Sequence, residues 1–428
     1  MSVMTRTLAT ALAALTLLGC GGSEDAATPL GTKTTAAAAP ADAVLAVWND
    51  LEGSELFWAD GRTLEPVDGR SVAFSYYYSA ADRSPDGDTL ALGADDRGYV
   101  QLIDLERMES LGTVDVGGSG YFERLHWVAP DLLLASISGT AGRAVALDPA
   151  ARTVRTEHEL PGVVLSSQPV DGGLVFLLAP SERIGPAHVA VFDGESVRTA
   201  ELREVRAGWE QVSEGESEED YRARQSVPGL AVDPSGQRAL VVPAGDRVAE
   251  VDLETLEVAY HDLSEPVSLF GRLRNWLEPA AYAKSVDGPE RNAVWLESGL
   301  VAVSGSHYVA DGDQMDVTPA GLTLIDPGDW SVRRLSDEFN WVTTRGDALL
   351  ASSWKEDSGE QTVTVFDTDG EQRFSLTRRA ADLSQTSGDL LYVATDEGRR
   401  YELVDLETGA TVARAAPERA AWLVYLDE

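Results

Sequence analysis

The sequence is nearly devoid of cysteine, poor in lysine and short of positive charge. Its single cysteine, Cys20, excludes an intrachain disulfide and any cysteine-cluster zinc or iron–sulfur site. Lysine occurs only at Lys33, Lys284 and Lys355, so arginine carries nearly all of the basic charge. Acidic residues number 71 against 34 basic ones, a formal net charge of −37. Phosphate backbones repel such a chain, which excludes nucleic acid as a partner. A GC-rich genome and adaptation to high salt both produce this composition, and charge alone does not separate them. No run of 18 apolar residues occurs, so no transmembrane helix is expected. The usual catalytic signatures are missing too. His126, His158, His188, His261 and His307 are scattered, with no metal-binding histidine pair, no Gly-x-Ser-x-Gly elbow and no phosphate-binding glycine loop.

What is present begins with an address. Arg6 precedes a short apolar run from Thr7 to Gly19, too short to cross a bilayer core, so residues 1–19 read as a signal peptide. That segment ends in Leu17-Leu18-Gly19-Cys20. The tetrapeptide resembles the lipobox of bacterial lipoproteins, although Leu18 is bulkier than the residue usually found there. The resemblance implies that Cys20 carries the lipid and becomes the mature N-terminus. It further implies palmitate-type acyl chains, an extracytoplasmic location, and a cell-membrane or outer-membrane anchor. Residues 20–41 continue as a small, Ala/Gly/Thr-rich segment, a flexible tether with an r.m.s. reach of roughly 25 Å.

From residue 42 to 428 the chain is expected to form one all-β domain. Short β-type runs alternate with turn signals, of which Ser84-Pro85-Asp86-Gly87 is the clearest. A two-turn unit recurs, each copy ending at an aspartate where a third strand turns into a fourth. These aspartates are Asp60, Asp104, Asp148, Asp193, Asp252, Asp326, Asp367 and Asp405. An aspartate opening a turn hydrogen-bonds backbone amides just ahead of it, so eight copies point to fold maintenance, not chemistry. Four-stranded units of about 40–45 residues are β-propeller blades. Eight blades are expected, with seven as the alternative. The first unit lacks a leading strand and the tail 420–426 has a spare one, so the tail is expected to complete the first blade and close the ring.

The SPDG turn and its DPSG counterpart at 233–236 resemble those of WD40-like and TolB-type bacterial propellers. The stretch DLETGATVA at 405–413 resembles YVTN-type and quinoprotein-type repeats, although the Gly-His and Trp-Asp signature of conventional WD40 proteins is absent. A lipid anchor joined to a propeller is similar to the outer-membrane assembly lipoproteins that scaffold β-barrel insertion. This analogy implies a non-enzymatic binding or scaffold module for a protein, peptide or envelope ligand, anchored to the membrane through its lipid and monomeric. The alternative is an enzyme of the propeller hydrolase, lactonase or quinoprotein type, with its site in the axial channel.

Three insertions, at about 200–225, 264–291 and 304–320, fall in fourth-to-first or second-to-third connections, which emerge on one face of a propeller. Enlarged loops gathered on a rigid scaffold serve binding. Their loop aromatics Trp209 and Trp276 are candidate contact residues, together with Arg272, Arg274, His307 and Tyr308. Residues 266–279 carry apolar positions at helical spacing, a short helix that covers a groove, docks a partner or meets anionic lipid. Asp311, Asp313 and Asp316 supply hard oxygens at close spacing, a weak candidate for calcium that lacks the full EF-hand pattern; no other cofactor is indicated. Trp127, Trp295, Trp341, Trp354 and Trp422 fall within expected strands and read as packing between blades.

Overall fold

The run Gly173-Leu-Val-Phe-Leu-Leu-Ala179 is apolar without alternation, and every residue of it is buried. A strand does this only when both of its faces are covered. Val175, Leu177 and Ala179 pack with Leu230, Ala239 and Val241 on one side. Leu174, Phe176 and Leu178 pack with Leu134, Ala144 and Ala146 on the other. The pleat thus sends successive side chains into two different cores. By contrast, the strand Thr153–Glu159 has an exposed residue at every second position, as an outer strand must.

This arrangement repeats around a ring of eight sheets. The computed structural model describes residues 43–50, 53–74, 78–94, 98–118, 120–181, 183–209, 225–245, 247–263, 290–311, 314–355, 360–379, 381–395 and 398–424. Every regular element among them is a strand. The first strands of blades 2 to 8 are Tyr78–Arg83, Tyr121–Ala129, Val163–Val170, Gly229–Val232, Glu290–Trp295, Trp341–Arg345 and Ala381–Ser387. Each is followed by its second, third and fourth strands in antiparallel order. Blade 1 takes its first strand from the far end of the chain, where Ala421–Leu423 pairs with Ala43–Asp50 in the register Ala46↔Leu423 and Trp48↔Ala421. The expected closure by the tail and the count of eight are therefore both observed.

The core is divided in the same way. Eight buried clusters fill the eight seams between neighbouring blades, including the closing seam, where Tyr392 and Leu403 of blade 8 meet Phe57, Ala421 and Leu423 of blade 1. The first strands are also tied from blade to blade by hydrogen bonds, which places them nearest the axis. Asp82 accepts from the Trp127 amide at 2.7 Å. Arg124 donates to the Ser167 carbonyl at 2.8 Å. Gln168 donates to the Leu230 carbonyl and accepts from the Val232 amide. Asn292 donates to the Val342 carbonyl at 2.6 Å.

All eight recurring aspartates stand where a third strand ends, and all eight accept backbone amides of the following turn. Amides of Thr63 and then Arg62 hold the Asp60 carboxyl below the usual aspartate range. In five of the turns the residue four positions after the aspartate is a non-glycine in the left-handed region: Leu64, Met108, Arg152, Leu256 and Trp330, with φ between 52° and 61°. In three of these turns the amide of this residue bonds back to the aspartate carbonyl: Leu64 to Asp60 at 2.8 Å, Leu256 to Asp252 at 2.8 Å and Trp330 to Asp326 at 2.7 Å. The aspartate turns lie on the face we term lower. Opposite them, on the upper face, the fourth strands cross to the next blade and the second strands turn into the third.

Two of the expected insertions are partly strand. The fourth strand of blade 4 runs through Val197–Trp209, because Ala200, Leu202, Val205 and Ala207 keep burying one side across a register shift. The segment around 304–320 is a hairpin, not an open loop: Val301–Asp311 continues past the blade and pairs with Gln314–Pro319. Alternation within SGSHYVAD and QMDVTP favours extended backbone on both arms.

Candidate functional site

Among the described residues, blades 6 and 7 carry the most unusual chemistry of the upper face. Blade 6 is built from Glu290–Trp295, Val301–Asp311, Leu322–Asp326 and Ser331–Ser336. Opposite residues of antiparallel strands share a face. The pairs Arg291↔Gly305, Val303↔Thr323 and Thr323↔Arg334 therefore put Arg291, Gly305, His307 and Arg334 on one side of this sheet. It is the side turned to blade 5, since Ala293 and Val303 of the same set pack with Ala231, Leu240 and Val242. All three basic residues lie toward the upper end of the seam between blades 5 and 6.

The backbone there is unusually close. A Cβ at Gly305, where φ is +158°, would lie 1.9 Å from the Glu290 carbonyl oxygen, so only glycine lets the first two strands approach in this way. The Arg291 amide is held by the Val227 carbonyl of blade 5 at 2.8 Å, and the Ala320 amide by the Gly305 carbonyl at 2.6 Å. Arg334 caps the Ala320 carbonyl at 3.1 Å and pairs with Asp337.

Two of the buried polar atoms in this corner have no partner: the Arg291 guanidinium nitrogen Nη1 and His307 Nδ1. Burial, then the neighbouring Arg334 charge, pulls Arg291 down to about 10. Burial, then the charges of Arg291 and Arg334, pulls His307 down to about 4. His307 is thus neutral at physiological pH. Among the described residues no carboxylate pairs with Arg291.

Aromatic side chains mark the same face. Trp341 is 55% exposed and Trp354 is 40% exposed. Trp341 opens the first strand of blade 7, and Trp354 stands near the upper end of its second strand, Ala348–Lys355. Trp341 lies opposite Ser352, so both rings share the side turned to blade 8. This corrects the reading of Trp341 and Trp354 as packing residues. They lie beyond Ala348 and Leu350, where the seam with blade 8 has its core. Trp127, in contrast, is buried in the seam between blades 2 and 3. Tyr121, at the upper start of blade 3, is the third large exposed aromatic among the described residues.

Of the residues expected to bind, His307 is therefore in the basic corner. Trp209 ends the long fourth strand of blade 4, half-buried and opposite Gln225. Tyr308, Asp311 and Asp316 lie on the blade 6 hairpin, with registers Tyr308↔Val317, Val309↔Asp316 and Asp311↔Gln314. Arg272, Arg274, Trp276 and Asp313 lie outside the described residues, as do Cys20 and the whole address segment. Among the described residues no group of three or more His, Cys, Asp or Glu side chains is placed to hold a metal ion. Sequence reasoning missed Arg291 and Arg334. The available signal was the unusual Glu-Arg-Asn-Ala start of a first strand, together with Gly305 inside a second strand.

Glu123 is another titratable group strongly displaced from its ordinary value. Glu123 is the extra residue at a register shift in the first strand of blade 3. Burial pushes its carboxyl up to about 7, opposed only in part by Arg124.

No protein-family model matches the chain, and no curated protein sequence matches it. Solved structures do. The dihydro-heme d1 dehydrogenase NirN, in complex with DHE, is 14% identical over 88% of this chain and 74% of its own, with a TM-score of 0.55. Apo AztD from Citrobacter koseri is 12% identical over 89% and 96%, with a TM-score of 0.48. BamB from Moraxella catarrhalis is 12% identical over 82% and 92%, with a TM-score of 0.46. At these identities the NirN likeness supports the propeller fold and nothing finer.

Proposed function

We propose that this chain is a lipid-anchored, extracytoplasmic binding module whose upper face, over blades 5 to 8, holds a protein, peptide or envelope ligand. The observation that carries the reading is the chemical difference between the two faces. The lower face spends its aspartates on turns. The upper face has exposed Trp341 and Trp354, the blade 6 hairpin and a basic corner in a chain of net charge −37. Exposed aromatics and arginines are the residue types that dominate contact energies in interfaces. The anchor is supported by Leu17-Leu18-Gly19-Cys20 and by Cys20 being the only cysteine. One diacylglycerol with an amide-linked chain supplies the acyl chains that stable anchoring needs.

The test is a differential capture experiment on cell-envelope extracts. The Trp341→Ala/Trp354→Ala variant is expected to lose the species retained by the wild type. Arg107→Ala, in the lower-face turn of blade 2, is expected to keep it. Retention by the tryptophan variant with loss by Arg107→Ala would refute the assignment of the face. Equal metabolic labelling of wild type and Cys20→Ser with a palmitate analogue would refute the anchor.

A further inference from the structure

An ionised guanidinium taken out of water is costly unless paired, and a native chain rarely leaves one so. Arg291 is such a group: its Nη1 nitrogen is buried without a partner, beside an imidazole whose Nδ1 is likewise without one. The arrangement is held in place. The Arg291 backbone is fixed by the hydrogen bond its amide donates to the Val227 carbonyl. His307 follows by two residues the Gly305 that allows the close approach, and Arg334 is fixed through Ala320. Ala231, Val242, Val248 and Leu263 make the blade 5 side of the seam apolar. Among the described residues, the only carboxylate pairing with the three basic residues is Asp337, on Arg334. The three nitrogen-bearing groups share one end of one sheet face, and one buried nitrogen on Arg291 and one on His307 are unused. A guanidinium presents a planar fork that matches a carboxylate or phosphate.

We propose that the upper end of the seam between blades 5 and 6 is an oxyanion-binding site, in which Arg291 and His307, with Arg334 at its edge, take a carboxylate or phosphate group of the ligand. The proposal deepens the reading of the upper face as a binding surface and rests on it. Arg291 Nη1 donates to one oxygen. His307, in its Nδ1–H tautomer, donates to another. Arg334 adds charge without leaving Asp337. A net negative protein repels free anions at long range, so the site selects by local geometry rather than by steering.

The test is titration calorimetry and thermal melting of the folded chain with sodium phosphate and, separately, sodium glucuronate. Sodium chloride at matched ionic strength serves as the blank, and the proteins are wild type and Arg291→Met. One or both oxyanions are expected to bind the wild type and raise its melting temperature by several degrees at large excess. The stronger of the two identifies phosphate or carboxylate as the ligand group. Arg291→Met is expected to lose affinity at least tenfold, while melting no lower than wild type without anion, because it removes an uncompensated buried charge. The His307 imidazole signal in NMR is expected to move on saturation while that of His158, on the outer strand of blade 3, stays put. That readout decides the matter on wild type alone if Arg291→Met does not fold. Absence of heat and of any His307 response with both anions overturns the proposal, as does equal binding by Arg291→Met. If the oxyanion site fails while capture still depends on Trp341 and Trp354, the binding face stands and only its ligand chemistry is wrong.

Discussion

Replacing Glu123 by glutamine should make the protein more stable at pH 8 and change little at pH 5. Glu123 follows Phe122, which is buried with Leu125 in the seam between blades 2 and 3, and burial raises its carboxyl from 4.5 to about 7. In the unfolded chain the group ionises near its ordinary value. Between about pH 4.5 and 7 the native state therefore binds more protons than the unfolded state. The sign of the linkage is that stability falls as pH rises through this window. The separation between 4.5 and about 7, at 1.36 kcal/mol per pH unit, amounts to about 3 kcal/mol above pH 7. With an unfolding entropy near 2.1 cal/mol/K per residue, that corresponds to a difference of roughly 4 °C in melting temperature for a chain of this size. Glutamine keeps the shape and cannot ionise. Calorimetric melting of wild type and Glu123→Gln from pH 5 to 8 should show the two curves together at the acid end. They should separate by roughly 4 °C at the alkaline end. Parallel curves across the range would refute the reasoning, because they would mean that Glu123 ionises in the fold as freely as in water.

Other consequences follow from the ring. Leu423→Asp puts a carboxylate into the closing seam, where Leu423 is buried against blades 1 and 8; a loss on the order of 4 kcal/mol is expected in denaturant unfolding. Asp193→Ala removes the acceptor for the Glu195 and Ser196 amides, at 2.9 and 2.7 Å, and should cost about 1 kcal/mol in the same assay. The Asp60 carboxyl is depressed by the amides it accepts, so its contribution is present above the unfolded value and is lost as pH falls through the folded one. Asp60→Asn should therefore flatten the acid limb of a pH–melting curve below about pH 4. With a net charge of −37, added sodium chloride should raise the melting temperature by screening self-repulsion.

The fold was legible in the sequence because its signals are local and repeated. The eight aspartates mark third-strand ends by their own turn chemistry, and the leftover strand at Ala421–Leu423 could be matched to a blade that lacked one. Strand lengths were less legible. The alternation in Ala200, Leu202, Val205 and Ala207 is broken by a register shift, which hid nine further residues of strand beyond Ala200. The site was the least legible part. His307 stood out as a histidine in an insertion. Its neighbours Arg291 and Arg334 come from other strands, separated from it by 16 and 27 residues, and only the pairing register brings them to one face. Trp341 and Trp354 look like any strand tryptophan in sequence. Their exposure depends on where the neighbouring seam ends, which a single strand does not encode.

Photo-crosslinking from each face tests the account most directly. A benzophenone amino acid is placed at Trp341 on the upper face or at Arg107 on the lower face, in chains that keep Cys20. Irradiation in intact cells should give ligand adducts from position 341, diminished by Arg291→Met, and none from position 107. Adducts formed from position 107 alone would contradict the claim that the ring presents its ligand-binding chemistry on the face opposite the aspartate turns.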